Sequence, residues 1–177
     1  MIIDLEIISQ PLSGEFEERI FDSESPWNSH FWTWVKFLTD DYTECCGQFR
    51  GAPREVAISK IYNKILILTS DYIYLLDVQN ADVLETLYFP QYINMTVAPS
   101  GEFILSDYYK IDVIRNNISK PETLNCPLAF GMDEIRFIEW RDNKFIFTCE
   151  EFANWNRKVE MEINTVDWKI NILRELS

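Results

Sequence analysis

Glycine and histidine are scarce in this chain, and their scarcity removes whole classes of chemistry. Five glycines in 177 residues leave no Gly-rich loop to cradle a phosphate, and neither G-x-G-x-x-G nor a P-loop is present. His30 is the only histidine, so the usual general base is missing, as are G-x-S-x-G and H-E-x-x-H. The bare acid pairs Asp40-Asp41, Asp133-Glu134 and Glu150-Glu151 could in principle perform acid/base work. Adjacent acids in the turns of an acidic protein are more simply solvated faces. The reading is a protein that is not an enzyme, with a carboxylate-dependent hydrolase as the catalytic alternative.

Cysteine is equally sparing. Cys45, Cys46, Cys126 and Cys149 show no C-x-x-C spacing, and the vicinal pair would point to opposite faces of a strand. Reduced structural thiols follow, with no metal site and no cofactor. No stretch long enough to span a bilayer is free of charge. The opening M-I-I-D-L-E-I-I carries acids within its apolar run and has no basic region before it, unlike a secretory signal. A soluble, cytoplasmic protein is expected.

Basic residues are the last deficit: sixteen Lys and Arg stand against twenty-nine Asp and Glu, a formal charge of −13. Nucleic acid and anionic membranes are therefore poor partners, and a basic protein is favoured. Acidity for solubility alone is the competing reading.

What the chain has in quantity is aromatic and β-branched residues, including twelve Phe, eight Tyr and six Trp, which suit folded β-structure. Val56 to Asp77 reads as three short strands and two turns, with strands at Val56, Ile65–Leu68 and Tyr72–Leu76. The plan recurs from Met95 to Ile114 and from Ile135 to Glu151. The turn residues Asn63, Gly101 and Asn143 lie 38 and 42 positions apart, a propeller-like period. Val83–Phe89 completes a four-stranded blade. Three such blades cannot close a ring, so the expected fold is all-β and mainly antiparallel, a partial propeller-like stack of small meander sheets.

A single domain over 1–177 is expected, with an N-terminal strand, loop and hairpin over 1–54 and about three repeats over 55–177. Within the first part, Ile3, Leu5 and Ile7 mark a strand, and Phe16 and Ile20 stand at helical spacing over Glu15–Asp22. Ser23–Ser29 reads as loop, and Phe31–Leu38 with Tyr42–Phe49 as a hairpin. Asn116–Pro127 reads as a long surface loop, and Val159–Ile163 with Trp168–Ile172 as a closing hairpin.

The corner after each repeat's central strand sets acids beside rings: Ser70-Asp71-Tyr72, Ser106-Asp107-Tyr108-Tyr109, and Glu150-Glu151-Phe152 followed by Trp155. Equivalent corners of stacked blades project from one edge. Asp71, Tyr72, Asp107, Tyr108, Tyr109, Glu150, Glu151 and Trp155 are thus the candidate partner-binding residues, with carboxylates steering a basic surface and rings anchoring it. Alternatively, Asp and Ser serve only as turn formers and the tyrosines pack inward along the next strand.

The segments W-V-K-F (Trp34–Phe37), C-G-Q-F-R-G (Cys46–Gly51) and V-A-I-S (Val56–Ser59), in a small acidic β protein, resemble the immunity proteins of bacterial contact-dependent and polymorphic toxin systems. The resemblance spans roughly residues 31–115. It implies that the chain binds the basic toxin domain of its own system, an RNase or DNase, and occludes its active site. The rival expectation is a propeller-like ligand- or protein-binding module unrelated to toxins.

Overall fold

Apolar runs of four to eight residues broken by Asn, Asp, Ser, Gly and Pro favour short strands over helices. A computed structural model describes residues 1–22, 28–88 and 90–176, and at position 155 the backbone alone. Sixteen strands and no helix occur among the described residues. They form four four-stranded sheets in two compact units, Met1–Gln91 and Tyr92–Ser177. Most of the loop expected over Ser23–Ser29, and Phe89 at the end of the predicted fourth strand, lie outside the described residues.

In the first unit, β1 (Ile2–Ile8), β2 (Glu17–Phe21), β3 (Trp32–Thr39) and β4 (Glu44–Arg50) form a sheet in the order β1-β3-β4-β2. The predicted hairpin is β3–β4. The helical turn expected near Glu15–Asp22 is instead an edge strand, and it runs parallel to β4 with Phe21 opposite Phe49. Stacking of those two rings, 4.3 Å apart and 7° from coplanar, overrides the local helical spacing. Gly47 is required where the Phe49 and Phe37 rings approach the backbone. A Cβ at this position would stand 2.6 Å from the Phe49 ring and 2.7 Å from the Phe37 ring.

The second sheet of this unit, β5 (Pro53–Ser59), β6 (Lys64–Thr69), β7 (Tyr72–Asp77) and β8 (Val83–Tyr88), is a meander in chain order. Its residues Ile65, Ile67, Tyr72, Tyr74 and Leu76 pack with Val35, Phe37 and Phe49 of the first sheet in one core. Leu66, Leu68, Ile73 and Leu75 are also buried. Both faces of β6 and β7 are thus covered, which explains the almost unbroken apolar sequence of these strands.

The second unit repeats the construction. β9 (Asn94–Val97), β10 (Phe103–Ser106), β11 (Ile111–Ile114) and the two-residue β12 (Glu122–Thr123) form one meander. β13 (Met132–Arg141), β14 (Lys144–Glu151), β15 (Asn154–Asn164) and β16 (Lys169–Leu176) form the other. Ile104, Ile111 and Val113 of the first meander share a core with Phe145, Phe147, Val159 and Met161 of the second. The edges of the two sheets are joined where Asn94 Nδ2 donates to the Ile135 carbonyl at 3.1 Å and Trp140 Nε1 to Thr96 Oγ1 at 2.9 Å. The closing hairpin, β15–β16, is the outer half of the fourth sheet, with β15 paired to β14.

The segment expected as surface loop over Asn116–Pro127 is anchored rather than free. Ile118 and Leu124 are buried, and Thr123 pairs with Asp112 across β11–β12. The protein is all-β and mainly antiparallel, with four-stranded sheets, three of them meanders, stacked in blade fashion within each unit.

Candidate protein-interaction surface

The β10–β11 corner spans Asp107 to Lys110. The Asp107 carboxylate accepts the backbone N–H groups of Tyr109 at 2.7 Å and Lys110 at 2.8 Å, an Asx turn that satisfies the corner internally. With the backbone closed on itself, the two tyrosine rings stay in solvent, 52% and 57% exposed.

The β14–β15 corner is tighter. Phe152 N–H donates to the Gly131 carbonyl at 3.1 Å, and Ala153 adopts φ 60°, a left-handed conformation that carries strain for a residue with a Cβ. Beneath it Glu151 is buried. Its carboxylate accepts from Asn154 Nδ2 at 3.1 Å and from Arg157 at 3.2 Å. The Asn154 hydrogen bond, with Arg157 and the Phe130 N–H, holds its pKa below the usual range. This buried network leaves the Phe152 ring outward, 48% exposed.

The two corners meet. Tyr109 and Phe152 lie edge to face with centroids 6.0 Å apart and planes at 77°, and Tyr108 lies 6.2 Å from Tyr109. Phe130, beside Gly131 in the chain, is also exposed. Carboxylates flank the rings. Glu150 stands opposite Asp133 across β13–β14 and opposite Lys158 across β14–β15. None of Asp107, Asp133 and Glu150 makes an ion pair among the described residues.

The first unit's corner behaves differently. Asp71 and Tyr72 are buried, 7% and 1% exposed, so neither offers a contact surface, contrary to expectation. The Asp71 carboxylate accepts Ser29 N–H at 2.7 Å and Ser70 Oγ at 2.6 Å. Burial pushes its pKa up, and these hydrogen bonds, aided by Arg50, more than reverse the effect, leaving it lowered. The Tyr72 hydroxyl donates to Asn28 Oδ1. Both side chains hold the 28–31 segment to the second sheet. Glu151 is likewise withdrawn into its own network, and the side chain of Trp155 lies outside the described residues. Tyr108, Tyr109, Asp107 and Glu150 remain as surface groups, and Phe152 and Phe130 join them.

Asp112, which the sequence did not single out, is the most enclosed carboxylate of the second unit. It is 0% exposed and accepts from Tyr92 Oη at 2.5 Å, Thr123 Oγ1 at 2.5 Å and Lys110 Nζ at 2.7 Å. Burial raises its pKa, but the donors outweigh burial and leave it lowered. With every donor supplied by the same sheet or its flanking segment, Asp112 is a structural clasp.

Burial pushes the Cys46 thiol up to about 11 and the Cys149 thiol up to about 12, so both are protonated at neutral pH and poor nucleophiles. No group of three or more His, Cys, Asp or Glu suited to a metal ion occurs among the described residues. A cleft of about 260 Å³ in the first unit lies between β2 and the Asn80–Ala81 turn, with Phe21, Phe37, Cys45 and Cys46 in its wall. Its cation, Arg19, is already committed to Asp82 at 3.0 Å.

Fold and surface together define a class: a two-unit all-β protein whose second unit presents clustered aromatic rings among unpaired carboxylates. No family model matches the chain, and no curated protein matches it. Among solved structures it is similar to the N-terminal domain of Nup159, with a TM-score of 0.48 and 8% identity over 71% of this chain and 34% of that one. The chain therefore spans about a third of that structure's length.

Proposed function

We propose that this chain is a protein-binding module whose contact surface is the aromatic cluster of the second unit. The observation that carries the proposal is the meeting of Tyr109 and Phe152 from two separate corners, with both rings half exposed. Aromatic side chains in solvent forgo burial worth roughly 1.5–3 kcal/mol each, and clustered ones are the usual anchors of protein interfaces. The unpaired Asp107 and Glu150 beside them, on a chain of net charge −13, favour a basic partner.

In its finer form the proposal is neutralisation of a basic nuclease toxin. Such enzymes present cations to hold phosphate, and an acidic protein seated on those cations occludes the active site without any chemistry of its own. Support comes from the charge and from the resemblance noted in the sequence. The test is calorimetric titration with a basic nuclease domain from a gene adjacent to this one. A one-to-one complex is expected, weakened about 30-fold or more by joint Tyr109→Ala and Phe152→Ala substitution. Undiminished binding by that variant would remove the cluster as the contact surface. Absence of binding together with failure to protect cells from the nuclease would remove the toxin reading.

A further inference from the structure

The protein uses one device four times within its own fold: a cation held between an aromatic ring and a carboxylate. Arg50 lies 3.6 Å over the Trp32 ring and forks onto Asp22 at 2.6 and 3.0 Å. Arg19 lies 4.8 Å over Phe21 with Asp82 at 3.0 Å. Arg115 lies 5.0 Å over Trp168 and pairs with Glu122. Lys110 lies 5.7 Å from the Tyr92 centroid and 2.7 Å from Asp112. In three of the four the cation is arginine, whose planar guanidinium stacks on a ring while its fork grips a carboxylate.

The exposed cluster carries the ring and the carboxylate, with no cation paired to either among the described residues. In each corner an acid precedes a ring by two residues, Asp107 before Tyr109 and Glu150 before Phe152, and those two rings are the ones in contact. Among the described residues Asp107 spends its carboxylate on backbone N–H groups alone. Glu150 faces Asp133 in register, and like charges directly opposite on adjacent strands repel. Of the neighbouring cations, Lys110 is committed to Asp112, and Lys158, opposite Glu150, offsets part of this repulsion but makes no ion pair among the described residues.

We infer that the partner supplies the missing cation as an arginine, its guanidinium seated against Tyr109 and Phe152 and its fork directed to Glu150 and Asp107. This inference rests on the protein-binding reading above and names the residue that reading must find on the other side. The occupant is an arginine on a protein surface. A lysine lacks the planar fork, and an apolar anchor would leave both carboxylates unpaired beneath it.

The test uses the full chain and three short capped peptides, Gly-Arg-Gly, Gly-Lys-Gly and Gly-citrulline-Gly, titrated while the aromatic proton signals of Tyr109 and Phe152 are followed by NMR. The arginine peptide should shift both rings saturably and bind roughly threefold or more tighter than the lysine peptide, with the uncharged citrulline peptide weaker still. Glu150→Gln combined with Asp107→Asn should weaken the arginine peptide roughly fivefold or more. Asparagine keeps the Asx turn, and an unchanged amide spectrum confirms the fold. Should the double variant not fold, Glu150→Gln alone carries the same expectation with a smaller loss. Equal binding of all three peptides, or arginine binding indifferent to Glu150→Gln, overturns the inference. If the nuclease titration still depends on Tyr109 and Phe152, the protein-binding reading survives that result. If no peptide moves either ring and the nuclease titration is also indifferent to both rings, the two readings fail together.

Discussion

At the scale of single residues, carboxylates in this protein divide into those that hold the fold and those left free, and the first group can be tested without any partner. Asp112 is completely enclosed and satisfies a lysine, a threonine and a tyrosine at once. Truncating it removes the acceptor of the half-buried Tyr92 hydroxyl, whereas Lys110 and Thr123 reach solvent. Asp112→Ala is therefore expected to cost about 1–3 kcal/mol, read as a lowered urea midpoint at pH 7. Asp41 poses a question of pH instead. Hydrogen bonds from Thr39 Oγ1 at 2.5 Å, Thr43 Oγ1 at 2.8 Å and Thr43 N–H at 3.2 Å bring its pKa down to about 2 from an ordinary 3.8. A depressed folded-state value means that its contribution is complete above the unfolded value and is lost as pH falls through the folded one. The difference in melting temperature between the wild type and Asp41→Asn should persist from pH 7 to about 4 and shrink towards zero by about pH 2. A difference that stays constant through that window would show that these hydrogen bonds do not favour the charged form.

Elements show where local sequence decides and where it does not. In β4, Gly47 sits where two phenyl rings approach the backbone, so Gly47→Ala must displace Phe37 or Phe49. An overpacking cost of about 1–3 kcal/mol is expected, visible as a reduced melting temperature. A neutral result would mean the rings have room to shift. The three downstream meanders were legible in the sequence because their turns carry residues suited to φ > 0: Asn63 takes φ 52° and Gly101 φ 100°. In the third, the left-handed residue is Asp142, φ 53°, one position before the expected Asn143. The N-terminal sheet was not legible as a sheet. Its β2 pairs with β4 across 28 residues, Glu17 with Cys45, and no local pattern encodes a parallel pairing of that range. The corners that set acids beside rings are legible in the sequence, but which rings face solvent depends on corner length. Ser70-Asp71 is a two-residue corner, so Tyr72 already belongs to β7 and turns into the core. Asp107–Lys110 is a four-residue corner, so Tyr108 and Tyr109 precede β11 and stay outside. Phe152 shares its corner with Glu150 and Glu151 in the sequence, but only the fold brings it against Tyr109.

At the scale of the whole molecule, a charge of −13 acts at distances the ring contacts cannot reach. For the basic partner proposed above, the charge governs how fast it arrives and Tyr109 and Phe152 how long it stays. The two contributions separate with salt. The screening length falls from roughly 14 Å at 50 mM to about 4 Å at 500 mM ionic strength, so long-range attraction is nearly abolished while stacked rings are little affected. The association rate constant with a basic protein partner is therefore expected to fall about tenfold or more over that range, with a much smaller change in the dissociation rate. Substituting both rings should do the reverse, raising dissociation and leaving the salt dependence of association intact. Stopped-flow measurement of both rates for the wild type and for the Tyr109→Ala, Phe152→Ala variant makes the comparison directly. Association insensitive to salt would show that the net charge serves solubility alone. A ring variant that lost only association rate would mean the aromatic cluster does not anchor the complex.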